Sequence, residues 1–186
     1  IMRKGPAYWY FTLVEKYHYS VADIIGVQTK GNLKYFNNWA KGKARNLQVL
    51  NNWLGKPIFE KCTINLSSSQ LSNRKIFVYA GNMGIAQGID VLLDLVKSLV
   101  NRRDLGFVFV GRGSEAPRLL NSAVSTQLDN VLFFDEIDPN EIAGLYAQCH
   151  VGLVALDQRH KSHNIPGKFL SYMQNGLPVL AFVNAN

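Results

Sequence analysis

The chain has 186 residues, of which 47% are hydrophobic, and carries a formal net charge of +7. Its length suffices to bury a sizeable core, and its apolar fraction excludes an intrinsically disordered protein. No run approaches the ~18 apolar residues of a membrane-spanning helix, and the two distant cysteines, Cys62 and Cys149, argue against a disulfide scaffold or a zinc site.

The first sixty residues carry the positive charge and predict only part of a sheet. The predicted elements are a helix over Tyr8–Tyr19, a strand over Ala22–Gln28, a helix over Lys30–Trp39 and a strand over Asn46–Leu50. Residues 1–61 hold 10 Lys+Arg and 3 Asp+Glu. Such a basic, aromatic segment fits contact with an anionic membrane surface, a phosphorylated substrate or nucleic acid, and a solvated basic surface is the alternative.

The remainder of the chain alternates between apolar strands and amphipathic helices. Strands are predicted over Ile76–Ala80, Gly106–Val110, Val131–Phe134, Val151–Leu156 and Pro178–Val183. Helices are predicted over Ile89–Val100, around Leu119–Leu120, from an N-cap at Asp138, and over Pro166–Gln174. Strands that are apolar throughout indicate a parallel sheet covered on both faces, hence an α/β, Rossmann-like doubly wound domain.

Two domains are therefore expected. Residues 1–50 are interpreted as the end of an N-terminal α/β domain, residues 51–57 as a linker and residues 58–186 as the Rossmann-like domain. Because Ile1 is not an initiator and the last predicted strand ends beside Asn186, we expect a segment of a longer protein, incomplete at its C-terminal end.

Ligands of open α/β sheets bind beyond the carboxyl ends of the strands. The loops expected there are Gly81–Gly88, Gly111–Ser114, Asp135–Asp138, Asp157–Asn164 and the segment after Val183. The glycines of the first two loops would let a phosphate or sugar approach the backbone, and tight strand-to-helix turns are the alternative explanation. The spacing of Gly81, Gly84 and Gly88 matches neither the dinucleotide fingerprint nor a P-loop.

Lys168 is the most informative charged residue. It falls in the first turn of its predicted helix, where a cation opposes the helix dipole by about 0.3–1 kcal/mol. A bound diphosphate would reverse that sign, and a solvent-directed lysine is the alternative. His160 and His163 lack the further ligands of a zinc site, so no metal is expected.

Four segments together resemble a known family. They are Val78–Gly88, Phe109–Gly113, Asn130–Phe133 and Ile165–Val179. In this order they resemble the group 1 (family 4) retaining glycosyltransferases. The last segment is similar to the I-P-S-K-x-x-E-Y-M-x-x-G-x-P-V signature of the branch that builds O-antigen, capsule and other surface polysaccharides. The resemblance extends over roughly residues 20–186.

The resemblance implies a GT-B hexosyltransferase, in which a nucleotide-sugar, here UDP-linked, lies between two Rossmann-like domains. The donor would bind mainly to the C-terminal domain, with neither a cofactor nor a metal. The acceptor, a lipid-linked or glycan molecule, would be met at the cytoplasmic inner face of the cell membrane, with a possible peripheral contact to anionic lipid and no nucleic acid. By this resemblance most of the acceptor half would be missing, and catalytic residues would lie there, so this segment alone is expected to be inactive.

The same resemblance implies the site residues. Those implied for the donor diphosphate and sugar are Gly81, Asn82, Gln87, Arg112, His163, Asn164, Gly167 and Lys168. A backbone group at Ile137 would read the base, and Ser171 would meet the ribose. His163 and Ser171 occupy the two positions of the family's E-x7-E motif, where a serine offers one oxygen instead of a carboxylate.

Three other functions remain open from the residues alone. A nucleotide-sugar epimerase of the same fold would need acid/base carboxylates, for which Asp135, Glu136 and Asp157 are candidates. A non-catalytic nucleotide-sugar-binding module would fit the absence of both motif glutamates. The third alternative is a nucleic-acid-binding protein, which no motif in the sequence supports.

Overall fold

The computed structural model describes residues 5–38, 46–56, 60–159 and 165–183. The chain divides into two compact units. The first comprises Ile1–Trp53, Lys161–Ile165 and Asn186, and the second comprises Leu54–His160 and Pro166–Ala185. The assignment of these parts to an acceptor-side and a donor-side domain stays a prediction.

In its described residues, the first unit contains two helices and two short parallel strands. They are α1 (Pro6–Val21), β1 (Ile24–Val27), a 3-10 helix (Lys30–Asn38) and β2 (Asn46–Val49). Strands β1 and β2 pair in register from Ile24↔Asn46 to Val27↔Val49. The helix predicted after β1 is a 3-10 helix. None of the described helices is both long enough and apolar enough to cross a bilayer.

The second unit is a five-stranded parallel sheet with helices on both faces, which confirms the predicted fold. Its strands are β3 (Lys75–Ala80), β4 (Leu105–Val110), β5 (Val131–Phe134), β6 (Val151–Ala155) and β7 (Val179–Phe182). Its α-helices are α2 (Asp90–Ser98), α3 (Ala116–Ser125), α4 (Ile142–Tyr146) and α5 (Gly167–Gln174). The strand order is β5-β4-β3-β6-β7, and every neighbouring pair is parallel.

The helix at Asp138 begins differently from the predicted capping pattern. The Asp138 carboxylate accepts from the backbone N–H of Asn140, as an N-cap should. A 3-10 turn over Pro139–Glu141 precedes α4, and the Glu141 carboxylate accepts from the backbone N–H of Thr63. Glu141 therefore ties the start of the second unit to α4.

Two apolar clusters cover the two faces of the sheet. Helices α2 and α3 pack on one face through residues such as Leu92, Val96 and Leu119. Helices α4 and α5 pack on the other through Leu145 and Tyr172. Because both faces are covered, the strands are apolar at almost every position, and this made them recognisable in the sequence.

The sheet opens slightly where the strand order reverses, between β3 and β6. Their pairing ends at Val78↔Gly152, although β3 continues to Ala80. The phenol of Tyr172, on α5, occupies this opening. It donates to the carbonyl oxygen of Val78 and accepts from the N–H of Ala80, each at 3.2 Å. A Cβ on Gly152 would lie 2.4 Å from the Tyr172 ring, so glycine makes room for it.

Candidate functional site

Three glycines at the carboxyl edge allow consecutive turns to pack backbone against backbone. Gly81, Gly111 and Gly113 have φ angles of 128°, 136° and 153°. A Cβ on Gly111 would lie 2.2 Å from the carbonyl oxygen of Gly81, and one on Gly113 would lie 2.4 Å from the carbonyl of Met83. Turn packing thus accounts for these glycines, and a role towards phosphate stays a prediction.

Lys168 reaches this edge from the first turn of α5. Its amine lies 4.7 Å from the centroid of the Tyr79 ring. A Cβ on Gly81 would lie 3.0 Å from the Cε atom of Lys168 and 3.2 Å from its Nζ atom. Burial lowers the pKa of the Lys168 amine below its ordinary value. The residue is therefore half-buried beside the Gly81 turn and does not extend into solvent.

Lys168 belongs to the first turn of α5, which begins at Gly167. Within the part of the chain that the structure describes, no side chain caps the helix at Pro166, and no atom lies within 4 Å of a Cβ built on Gly167. Helix N-termini leave backbone N–H groups without intrahelical partners and carry a partial positive charge. Helix N–H groups and an amine in the same first turn are both groups that bind anions.

Asn82 and Gln87 lie on the turn after β3 and organise it internally. The Oε1 atom of Gln87 accepts from the N–H of Gly84 at 3.1 Å and from the side-chain amide of Asn82 at 3.4 Å. These two side chains therefore bond to their own loop.

Two arginine–carboxylate pairs border the same edge. Arg112, after β4, pairs with Glu136, after β5, at 2.8 Å, and Arg159 pairs with Asp157 at 2.6 Å after β6. Side-chain and backbone hydrogen bonds from Arg159 hold the pKa of the Asp157 carboxyl well below its usual range. This carboxylate is held ionised, which disfavours it as a general acid.

The two residues predicted to meet the nucleoside occupy different surroundings. Ile137 is half-buried and packs against the cluster under α4 and α5. Ser171 is half-buried, and its side chain hydrogen-bonds to Tyr146. Burial raises the pKa of the Tyr146 hydroxyl to about 12, and the hydrogen bond with Ser171 lowers it by a smaller amount. The Ser171 hydroxyl is thus already engaged within the protein.

His163 and Asn164 lie outside the described residues. Among the described residues, no group of three His, Cys, Asp or Glu side chains could hold a metal ion. A cavity of about 520 Å³ opens at the ends of β6 and β7, and its walls include Gly88, Val91, Asp157 and Phe182. Its volume is in the range of small-ligand sites.

Sequence reasoning gave no role to Tyr79 and Tyr172, the two tyrosines that contact site elements. Both are 0% exposed, and each hydroxyl bonds to the backbone near the end of β3. The available signal was an aromatic residue with a hydroxyl inside an apolar element, because a buried phenol requires a partner.

Comparison with known proteins identifies the family. The family model described as "Glycosyl transferases group 1" matches residues 74–185, so the chain belongs to this family. A probable glycosyltransferase of Pseudomonas aeruginosa, WbjE, is 25% identical over 141 residues, which are 74% of this chain and 35% of WbjE. The chain thus spans about a third of this relative. The predicted resemblance to group 1 is confirmed.

Solved structures share the fold. Anabaena Alr3699/HepE, in complex with UDP and glucose, has a TM-score of 0.71 at 15% identity, over 97% of this chain and 55% of that chain. A mutant of S. aureus TarM, in complex with fondaparinux, alpha-GlcNAc-glycerol and UDP, has a TM-score of 0.66 at 19% identity, over 90% of this chain and 32% of that chain. At these identities the likeness establishes the fold alone.

Proposed function

We propose that the carboxyl edge of the five-stranded sheet binds a nucleotide-sugar, and that the protein is a retaining hexosyltransferase of surface-polysaccharide synthesis. The observation that carries the proposal is the Lys168 amine, which extends from the first turn of α5 and lies beside Gly81. This edge also contains the point where the strand order reverses, at which open α/β sheets bind their ligands.

The chemistry of sugar transfer explains why a cation is useful here. When the bond between the anomeric carbon and the diphosphate breaks, negative charge accumulates on the departing phosphate oxygens. A preorganised ammonium and helix N–H groups stabilise that charge more strongly in the transition state than in the ground state. Lys168 and the first N–H groups of α5 would act in this way, without a metal.

The finer features of the proposal follow from the family. UDP is the proposed nucleotide, and it is bound in the structures of HepE and TarM. The proposed acceptor is a lipid-linked or glycan molecule, and the proposed location is the cytoplasmic face of the cell membrane. The basic first third of the chain supports a location at an anionic surface.

Calorimetric titration of the 186-residue chain with UDP tests the proposal. We expect Lys168→Ala to weaken UDP binding by about 1.5–3 kcal/mol, which is the magnitude of a charge-assisted hydrogen bond. Its melting temperature should stay equal or rise slightly, since an unfavourable charge leaves the first turn of α5. Lys75→Ala is the matched control, because Lys75 begins β3 at the opposite edge of the same sheet.

Equal loss of affinity in both lysine variants would indicate a nonspecific charge effect and contradict the proposed site. Unchanged affinity in Lys168→Ala, together with a lower melting temperature, would make the lysine structural.

The proposal that no metal takes part has its own measurement. We expect the same UDP affinity with EDTA and with Mg²⁺, and a large loss with EDTA would refute it.

A further inference from the structure

Tyr79 is a fixed aromatic surface at the end of β3. Its side chain is 0% exposed, and its ring stacks on that of Phe109 with centroids 5.9 Å apart. Its hydroxyl donates to the carbonyl oxygen of Asn82 at 2.7 Å. Packing holds the ring in one orientation, and the hydrogen bond joins it to the loop that follows Gly81.

The amine of Lys168 lies against this ring. Its Nζ atom is 4.7 Å from the ring centroid, within the ~6 Å over which an aromatic face attracts a cation. Lys168 belongs to α5, whereas the Tyr79 side chain packs on the opposite face of the sheet, with α2 and α3. The lysine reaches the ring past Gly81, where a Cβ would lie 3.0 Å from its Cε atom.

The aromatic face holds the lysine without neutralising it. Among the ion pairs formed by the described residues, none involves Lys168. A carboxylate partner would compete with a phosphate for the ammonium. The quadrupole of an aromatic ring instead offsets part of the desolvation of the charge and leaves its N–H groups free to donate.

We propose that Tyr79 is a positioning residue, whose ring holds the Lys168 ammonium charged and unpaired where the diphosphate of the donor binds. This inference rests on the proposed function, because it concerns the same site. It assigns a second residue and a distinct interaction to that site.

Calorimetry with UDP on single and double variants measures the coupling between the two side chains. We expect Tyr79→Leu to weaken UDP binding about three- to tenfold, the range of a cation–π interaction. Tyr79→Phe, which keeps the ring, should stay within about twofold of the unmodified chain. In the Lys168→Ala background, Tyr79→Leu should cause no further loss, because the ring acts through the lysine.

The titration of Lys168, followed by NMR of its labelled Cε group without ligand, gives an independent readout. A ring favours the charged amine, so Tyr79→Leu should move the pKa of Lys168 further below its ordinary value, and Tyr79→Phe should leave it unchanged. Should Tyr79→Leu fail to fold, fluorinated phenylalanines at position 79 weaken the quadrupole with little change in volume, and the pKa should fall with increasing fluorination.

Two results would overturn the inference. One is an equal loss of UDP affinity from Tyr79→Leu with and without Lys168, which would make Tyr79 a packing residue. The other is a Lys168 titration that is the same for every side chain at position 79. If the unmodified chain bound no UDP, the proposed function would fail, and the ligand-free titration would still decide whether the ring holds the ammonium.

Discussion

At the scale of single residues, the packing of the carboxyl edge depends on the absence of a side chain at its glycines. Gly81 lets the Lys168 side chain pass, and Gly111 lets its own turn lie directly on the Gly81 carbonyl. Both have positive φ angles that side chains rarely adopt. The backbone turns and the lysine therefore share a space in which one added methyl group displaces its neighbours.

The Gly111→Ala variant tests this packing. Its Cβ would lie 2.2 Å from the Gly81 carbonyl oxygen at a φ of 136°, so we expect a loss of about 2–5 kcal/mol in the free energy of unfolding. Urea denaturation measures the loss. Gly55→Ala is the control, because no atom of the described residues lies within 4 Å of a Cβ built there, and it should change stability by less than about 0.5 kcal/mol. Equal stability of the two variants would contradict the described turn packing.

At the scale of elements, one hydroxyl of α5 bonds directly to the end of β3. Tyr172 bonds to Val78 and Ala80 where β3 and β6 separate, one helical turn after Lys168. This spacing places both side chains on the same side of α5. The contact that closes the sheet thus also fixes the helix from which the lysine extends.

Removing that hydroxyl should therefore destabilise the second unit. In Tyr172→Phe the buried N–H of Ala80 loses its partner, and we expect the free energy of unfolding to fall by about 1–3 kcal/mol. Urea denaturation followed by circular dichroism provides the value. The same substitution at Tyr10, which is 63% exposed on α1, should change stability by less than about 0.5 kcal/mol. A neutral Tyr172→Phe would show that other groups satisfy the end of β3.

The elements themselves were predictable because each is defined by neighbouring residues. The run at Val131–Phe134 is a strand with the expected bounds, and Lys168 lies in the first turn of its helix as expected. Contacts between distant residues were not predictable in this way. The approach of Lys168 to Tyr79 requires the strand order, the docking of α5 and the absence of a side chain at Gly81 all at once.

The side-chain engagements of the site also depend on tertiary structure. Arg112 binds Glu136 because β4 and β5 are neighbours in the sheet, and Ser171 bonds to Tyr146 because α5 packs beside α4. Nothing in the local sequence of either residue encodes its partner.

At the scale of the whole molecule, buried ionisable side chains with raised pKa values limit the stability of the fold at alkaline pH. Burial, with a smaller effect from nearby Cys62, raises the pKa of the Cys149 thiol from 9.0 to about 12. The folded state keeps this thiol protonated where the unfolded chain releases the proton. Its contribution to stability is therefore fully present below pH 9 and is lost as the pH rises towards 12.

We therefore expect the free energy of unfolding to fall between pH 8 and pH 10, and to fall less in Cys149→Ala. By pH 10 the decrease in the free energy of unfolding should be about 1 kcal/mol smaller in Cys149→Ala, since this variant lacks the ionising thiol. Urea titrations at a series of pH values under reducing conditions measure both slopes. Identical slopes would mean that the thiol ionises equally in both states.

Because of the opening between β3 and β6, hydrogen exchange at one backbone amide should measure how often α5 detaches from the sheet. The N–H of Ala80 belongs to a central strand, yet its acceptor is the Tyr172 phenol and not a neighbouring strand. Its proton should exchange with deuterated solvent whenever α5 lifts from the sheet, and more slowly when a ligand holds that helix in place. The protection of this single amide would follow the docking of α5 separately from the unfolding of the strands around it.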